Sequence, residues 1–215
     1  VTGPMAFDIA AIQHIYGANM ATGAGDDAYR LPGVDRVGTA YSCLWDAGGS
    51  DRIAYSGALD AVIDLRPAPL AGAHAGGYLS SVAGVHGGFT IANAALIENA
   101  YGGSGDDLLT GNDAANRLYG GRGADLIDGG RGNDIVVGGA GADEVDGGSG
   151  FDVVSYHSSD SPVAVSLARG SGSRGDAAGD RLVSVEGLIG SDGGDALTGG
   201  VGGNRLSGRS GADRL

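Results

Sequence analysis

Between Gly102 and Ser155 a side-chain oxygen ligand recurs every nine residues, preceded by glycines and followed by a large aliphatic residue. Six units follow one another without a slip: GGSGDDLLT, GNDAANRLY, GGRGADLID, GGRGNDIVV, GGAGADEVD and GGSGFDVVS. Position six is Asp107, Asn116, Asp125, Asp134, Asp143 and Asp152. Glycines at positions one, two and four let the backbone turn sharply with φ > 0. Such turns aim carbonyl oxygens inward, beside the carboxylates. Carboxylate and carbonyl oxygens together are the donor set of Ca²⁺. The candidate ligands are therefore the position-six side chains and the backbone at positions two and four. Those backbone positions are Gly103, Gly105, Gly121, Gly123, Gly130, Gly132, Gly139, Gly141, Gly148 and Gly150.

These ligands need elements to hold them. Positions seven to nine predict a very short strand. Position eight faces the core as Leu109, Leu118, Ile127, Val136, Val145 and Val154, between polar or mixed neighbours. That is the period of two expected of a strand. One unit buries almost nothing, so units must stack. The pattern G-G-x-G-x-D-x-U-x resembles the calcium-binding repeat of RTX proteins, which form parallel β-rolls. In a roll two units make one coil, so each unit stacks on the next but one. The ligands then fall into two files, Asp107, Asp125, Asp143 and Asn116, Asp134, Asp152, with room for up to four ions between successive members. The second unit has Asn112, Ala114 and Asn116 where glycine, glycine and aspartate are expected. The Asn116–Asp134 site should be the poorest. Without calcium the stacked carboxylates repel and the thin core leaves the chain open.

The chain has 215 residues, 45 of them glycine, and a formal charge of −13 from 26 acidic and 13 basic side chains. Glycine at this level without a G-X-Y period excludes collagen. An acidic chain whose basic residues are all arginine is a poor nucleic-acid binder. Cys43 is the single cysteine, so no internal disulfide is possible. Stapling by calcium rather than sulfur suits an extracellular protein. No apolar run is long enough to span a bilayer. No secretory signal peptide is visible. Both ends look cut, so the chain is expected to be a piece of a larger protein.

In residues 1–20, Ile9, Ile12, Ile15 and Tyr16 fall on one face at helical spacing, with Asp8 in the first turn. The string DIAAIQHIYGAN resembles the helix that follows the Met-turn of serralysins, secreted zinc endopeptidases of the metzincin group. TGAGDDAYR (22–30) resembles that family's entry into its roll. WDAGGSDRIAYSG (45–57) resembles its W-D-A-G-G-x-D segment, which implies Asp46, Gly48 and Asp51 as calcium ligands. LIENAYGGSGDD (96–107) resembles its I-E-N-A-x-G-G segment, which implies Glu98, Gly103, Gly105 and Asp107. The resemblance covers nearly the whole chain. Its specific parts are 5–19 and 45–57; beyond 102 it is shared with all RTX proteins.

The departures are as informative. The zinc motif H-E-x-x-H-x-x-G-x-x-H is missing from these residues, and His14, His74, His86 and His157 are scattered. Met5 lacks the flanks of a Met-turn and reads as a packing residue. Any zinc chemistry would lie in an upstream catalytic domain, not in this chain.

Short apolar runs at 61–65, 78–82, 89–92 and 95–100 predict strands of the roll or of a sandwich beside it, so residues 21–101 read as roll entry and strands. After the block 102–155, residues 156–189 read as a strand-containing spacer. The nonapeptides resume over 190–215 with Asp195, Asn204 and Asp213 at position six, and Asp195 and Asp213 should share a site. The spacer echoes the earlier half: D51-R-I-A-Y-S…A-V-I-D-L matches D152-V-V-S-Y-H-S…V-A-V-S-L. Glu186 leads Gly190 and Asp195 by the same steps by which Glu98 leads Gly102 and Asp107. By that symmetry Glu186 is a ligand candidate, with a solvent-facing glutamate the other reading. Asp176 and Asp180 are further calcium-ligand candidates, with a polar loop the favoured reading.

The expected fold class is all-β: a parallel β-roll of RTX repeats with flanking strands and one short N-terminal helix. The expected function is calcium-driven folding of the C-terminal part of a serralysin-like protease. The resemblance implies export by a type I secretion machinery, an upstream protease domain in cis and an extracellular location. The alternative is a non-enzymatic RTX adhesin or surface-layer module. A third option is an RTX tail on a polysaccharide-modifying or lipolytic enzyme. No catalytic pair stands out in this chain.

Overall fold

The computed structural model describes residues 23–36 and 39–215. The helix expected over residues 1–20, with Met5 and His14, lies outside the described residues.

In the block 102–155 the middle residue of each nonapeptide strand is buried, and most of the flanking ones are partly or fully exposed, Val137 and Ser155 excepted. Leu109, Leu118, Ile127, Val136, Val145 and Val154 are all at most 1 % exposed. Strand pairing places Leu126 beside Leu108 and Glu144 beside Leu126, so one coil takes 18 residues, two repeat units. Each coil contributes one strand to each of two sheets. The aliphatic side chains stack between the sheets as a single narrow core.

The first sheet has eight strands in spatial order Ala28–Arg30, Arg52–Ala54, Asn99–Tyr101, Arg117–Arg122, Ile135–Ala140, Val153–Ser155, Gly187–Ile189 and Arg205–Ser207. Every pair in it is parallel. The second sheet has nine strands. Ala61–Asp64, Leu108–Thr110, Leu126–Asp128, Glu144–Asp146 and Arg181–Val183 run parallel in sequence. Ser81–Val82 pairs antiparallel with the first of them. At the other end Ser171–Gly172 pairs antiparallel with Arg181–Val183 and with Ala164–Ser166, which pairs in parallel with Ala196–Thr198.

The two-copy plan is visible in this topology. Arg52–Ala54 and Val153–Ser155 lie in the first sheet, while Ala61–Asp64 and Ala164–Ser166 lie in the second. Each of the latter carries a short antiparallel partner. The segment between the repeat blocks also supplies roll strands. Arg181–Val183 and Gly187–Ile189 continue the two sheets directly from Glu144–Asp146 and Val153–Ser155. Of the runs expected as strands, 95–100 is strand only from Asn99, while Gly88–Ile91 pairs with Tyr41–Leu44 in a separate two-stranded sheet. Among the described residues the one helical element is a 3-10 turn, Gly175–Ala177.

Candidate metal centre

Each strand of the roll is entered through a loop, and the residue just before the strand decides how coils are tied together. Within the second repeat sheet Asp125 Oδ1 accepts the Asp107 N–H at 2.8 Å, and Asp143 Oδ1 accepts the Asp125 N–H at 3.0 Å. In the first, Asp134 Oδ1 accepts the Asn116 N–H at 2.7 Å, and Asp152 Oδ1 accepts the Asp134 N–H at 2.8 Å. Each aspartate therefore reaches back one coil. The two files read from the sequence are two ladders of carboxylates, one at the entry edge of each sheet.

The ladders extend beyond the nonapeptides. Asp107 Oδ1 accepts the Ala61 N–H at 2.7 Å, and Asp180 Oδ1 accepts the Asp143 N–H at 3.0 Å. On the other edge Asp51 Oδ1 accepts the Asp27 N–H at 2.7 Å, Glu98 Oε2 the Asp51 N–H at 2.8 Å, and Glu186 Oε2 the Asp152 N–H at 2.9 Å. Glu98 and Glu186 thus hold equivalent rungs in the two copies. Asp195 and Asp213 are neighbouring rungs too, joined by the Asp195 N–H to Asp213 Oδ1 at 2.9 Å.

Asp180 corrects the reading of its surroundings as a polar loop. It is 3 % exposed, and its Oδ2 accepts the hydroxyl hydrogen of the buried Tyr156 at 2.8 Å. Asp176 lies in the adjoining 3-10 turn and makes no such bond.

The remaining carboxylate oxygens reveal what the ladders lack. Asp51, Asp125, Asp134, Asp143 and Asp152 each bury Oδ2 with no hydrogen-bond partner among the described residues. An anionic oxygen buried without a partner is strongly unfavourable, and interiors satisfy such groups with a hydrogen bond, an opposite charge or a metal. Burial, chiefly, pushes Asp125 and Asp134 up to about 7 and Asp51, Asp143 and Asp180 up to about 6. Neighbouring carboxylates push in the same direction, Asp143 on Asp125 and Asp152 on Asp134. Closely spaced, unpaired carboxylate oxygens lined up along a stack fit a hard cation of the calcium type.

The glycines make this arrangement possible. A Cβ on Gly120 or Gly138 would strike Oδ2 of Asp125 or Asp143, the carboxylate of its own unit. At Gly139, with φ +107°, a side chain would also run into the Gly121 carbonyl one coil back. Position-one glycine therefore clears space for the carboxylate, and position-two glycine lets the turns nest. The position-two and position-four glycines named from the sequence do line these turns.

Asn116 behaves differently. Its Nδ2 donates to the Glu98 carbonyl at 3.1 Å, and its Oδ1 accepts the Asn112 N–H at 2.8 Å. Asn204 does the same in the second copy, donating to the Glu186 carbonyl at 3.3 Å and accepting from the Gly200 N–H at 2.8 Å. At these rungs an amide meets its own hydrogen-bonding needs. Asn112 is equally built in, donating to the carbonyls of Leu65 and Ile97 at 3.3 and 2.8 Å.

At the roll entry Asp27, Asp46 and Asp51 bring carboxylate oxygens within 4.8 Å of one another. Asp46 and Asp51 were named from the sequence; Asp27 was not. Its signal was a D-A-Y-R string shaped like positions six to nine of a repeat. Tyr29 donates to Asp46 Oδ2 at 2.6 Å, and the Gly48 N–H donates to Asp46 Oδ1 at 3.0 Å. Gly48 thus orients Asp46 through its amide. His74, His86 and His157 are exposed and far apart in the chain, and none joins a metal-ligand cluster among the described residues.

Comparison with known proteins agrees with this geometry. A family model described as Peptidase M10 serralysin C terminal matches residues 7–169, and one described as RTX calcium-binding nonapeptide repeat matches residues 189–215. Serralysin of Proteus mirabilis is 40 % identical over 125 residues, which is 54 % of this chain and 24 % of the relative. Serralysin C of Dickeya chrysanthemi is 44 % identical over 117 residues, 50 % of this chain and 23 % of the relative. Metallopeptidase AprA of Pseudomonas marginalis is 38 % identical over 125 residues, 54 % of this chain and 24 % of the relative. The chain thus matches about a quarter of the length of these curated relatives. With its repeats, its strand stack and a family match over most of its length, the chain belongs to the serralysin C-terminal family and carries RTX calcium-binding repeats.

Proposed function

We propose that this chain is the calcium-binding, C-terminal part of a secreted serralysin-like zinc endopeptidase, and that calcium drives its folding after type I export. The observation that carries this is the row of buried, unpartnered Oδ2 atoms on Asp51, Asp125, Asp134, Asp143 and Asp152. The residues that would hold the ions are Asp27, Asp46, Asp51 and Glu98 at the entry, and Asp107, Asp125 and Asp143 with Asp180 on one edge. Asp134 and Asp152 with Glu186 serve the other edge, and Asp195 with Asp213 the distal block. Carbonyls of the position-two and position-four glycines complete the sets. Bound calcium supplies positive charge between coils that otherwise repel.

The chain's own residues do the rest. The carboxylates bind neighbouring coils through their Oδ1 atoms, the glycines leave room for them, and the aliphatic stack excludes water once two coils meet. With a Kd on the order of 10⁻⁴ M, as for weak extracellular modules, tenfold excess calcium adds about 1.4 kcal/mol per site. Several sites acting together decide between open and folded chain. In calcium-poor cytosol the open chain could be threaded for export; outside it would close. Zinc and peptide cleavage would belong to an upstream domain in the same protein.

The test is calcium titration followed by far-ultraviolet circular dichroism and calorimetry. The reading predicts a cooperative gain of strand with several ions bound. Unchanged spectra up to millimolar calcium would reject it. If the full-length protein lacked an upstream zinc motif, the roll would be a calcium-gated structural module instead.

A further inference from the structure

The roll has two outer faces, and their charges are not alike. The eight strands of the first sheet contain five arginines, Arg30, Arg52, Arg117, Arg122 and Arg205, and no acidic residue. The strands of the second sheet contain Asp64, Asp128, Glu144 and Asp146, and one arginine, Arg181. In a chain of net charge −13, a face free of acid needs an explanation.

Register concentrates the feature. Arg52, Asn99 and Arg117 lie side by side across three strands, and Tyr101 and Tyr119 lie side by side one step along. The two tyrosine rings stack with centroids 4.5 Å apart and planes 6° from parallel. Arg52 and Arg117 are exposed yet close enough to Tyr101 to act on its phenol, opposing the upward push of burial. Arg30 and Arg122, at the two ends of the patch, are exposed as well. Four arginines elsewhere, Arg66, Arg131, Arg181 and Arg209, have an acidic partner, while Arg36, Arg169, Arg174 and Arg214 stand singly rather than in register on neighbouring strands. Arg30, Arg52, Arg117 and Arg122 have none among the described residues. A tyrosine stack alone would serve the sheet. Here the stack is bordered by guanidinium groups that have no acidic partner among the described residues.

We propose that this arginine–tyrosine face of the first sheet binds a carboxylate-bearing polysaccharide, laid across the strands. Guanidinium groups form forked hydrogen bonds that match a carboxylate. Strands repeat at about 4.8 Å, close to the rise of one pyranose residue, so successive sugars fall over successive strands. The outward face and edges of the tyrosine stack offer an apolar platform with a polar tip to a sugar ring. A polymer with one carboxylate per sugar meets less repulsion from the acidic ladders than a dense polyphosphate does.

The test uses the full chain in saturating calcium, with folding checked by circular dichroism. Polygalacturonate oligomers are titrated against wild type, an Arg52→Gln/Arg117→Gln double variant and an Arg181→Gln control. The expected result is binding to wild type and to the control, at least tenfold weaker binding to the double variant, and none to fully methyl-esterified oligomers. Polygalacturonate itself takes up calcium. Ion-bridged binding to the acidic edges would survive the double substitution, and that outcome overturns the proposal. So would no binding at all. Tighter binding of duplex DNA, lost in the same double variant, would assign the face to a polyphosphate and overturn the polysaccharide. A Tyr119→Ala variant that folds and binds severalfold more weakly would support the aromatic platform.

Discussion

The two edges of the roll are built on one plan and differ at particular rungs. Along the second-sheet edge the rungs are Asp107, Asp125, Asp143 and Asp180, and each accepts an N–H from the coil behind it. Along the first-sheet edge that pattern is interrupted at Asn116 and at Asn204. There the side chain donates to a glutamate carbonyl, of Glu98 and Glu186 respectively. The substitution recurs at the same place in both copies, one coil after the glutamate. It is therefore part of the plan rather than decay of one repeat. Asp125 and Asp143 on one edge, and Asp134 and Asp152 on the other, keep an Oδ2 with no donor among the described residues; an asparagine rung satisfies itself. The all-aspartate edge should hold its ions as a continuous, mutually dependent row, and the other as shorter groups.

Several measurements would break or sharpen that contrast. Chelation is the most severe. Removing calcium should abolish most of the strand signal, because both edges then carry unbalanced charge. Next is Asp125→Ala, which removes a rung shared by two neighbours. It should lower calcium affinity by at least tenfold, about 1.4 kcal/mol, whereas Asn116→Ala should leave affinity nearly unchanged while lowering the melting temperature. Equal losses of calcium affinity in the two variants would refute the distinction between the edges.

Acidity gives a third effect, of opposite sign with and without calcium. Burial pushes Asp125 and Asp134 from an ordinary 3.8 up to about 7, and Asp143 and Asp180 up to about 6. A carboxylate raised in the folded state stabilises the fold below its unfolded pKa and loses that contribution as pH rises through the folded value. Calcium-free protein should therefore show more strand at pH 5 than at pH 7.5. Calcium affinity should instead fall on acidification over the same window, because protons compete for the same oxygens. Calorimetry at the two pH values checks both signs.

Of comparable size is Tyr156→Phe, which removes the hydroxyl donor to Asp180 and should cost about 1–3 kcal/mol, read as a lower melting temperature. The smallest is Asn116→Asp. It should stabilise slightly in calcium and destabilise slightly without it, removing one of the two interruptions of that edge.

Much of this was legible in the residues. The nine-residue register fixed the coil length, the buried position-eight side chains and the membership of both files. The likeness of 51–65 to 152–167 anticipated a duplicated topology. Asp180 is harder to read for a physical reason: the glycines that mark the other coils do not precede it. Asp180-Arg181-Leu182-Val183 has the acid and the buried aliphatic of positions six to nine, but A-A-G precedes it where G-G-x-G would stand. Asp27-Ala28-Tyr29-Arg30, by contrast, follows Gly23 and Gly25 at positions two and four, so its rung is legible from the register. A strand needs only the acid before it and an apolar residue inside it; the glycines matter where turns of successive coils nest. The parallel pairing of Tyr41–Leu44 with Gly88–Ile91 could not be read locally, since it joins segments more than forty residues apart.

The coil length also sets how the molecule would yield to force. Pulled from its C-terminal end, the roll has no bond that spans more than neighbouring coils within the nonapeptide block. It should come apart one turn at a time, each turn of 18 residues releasing about 60 Å of chain. Extension traces would then be a sawtooth of even steps, with tooth height set by calcium. The step should lengthen between Val153–Ser155 and Gly187–Ile189, because that coil carries 34 residues from Val153 to its pairing partner Gly187.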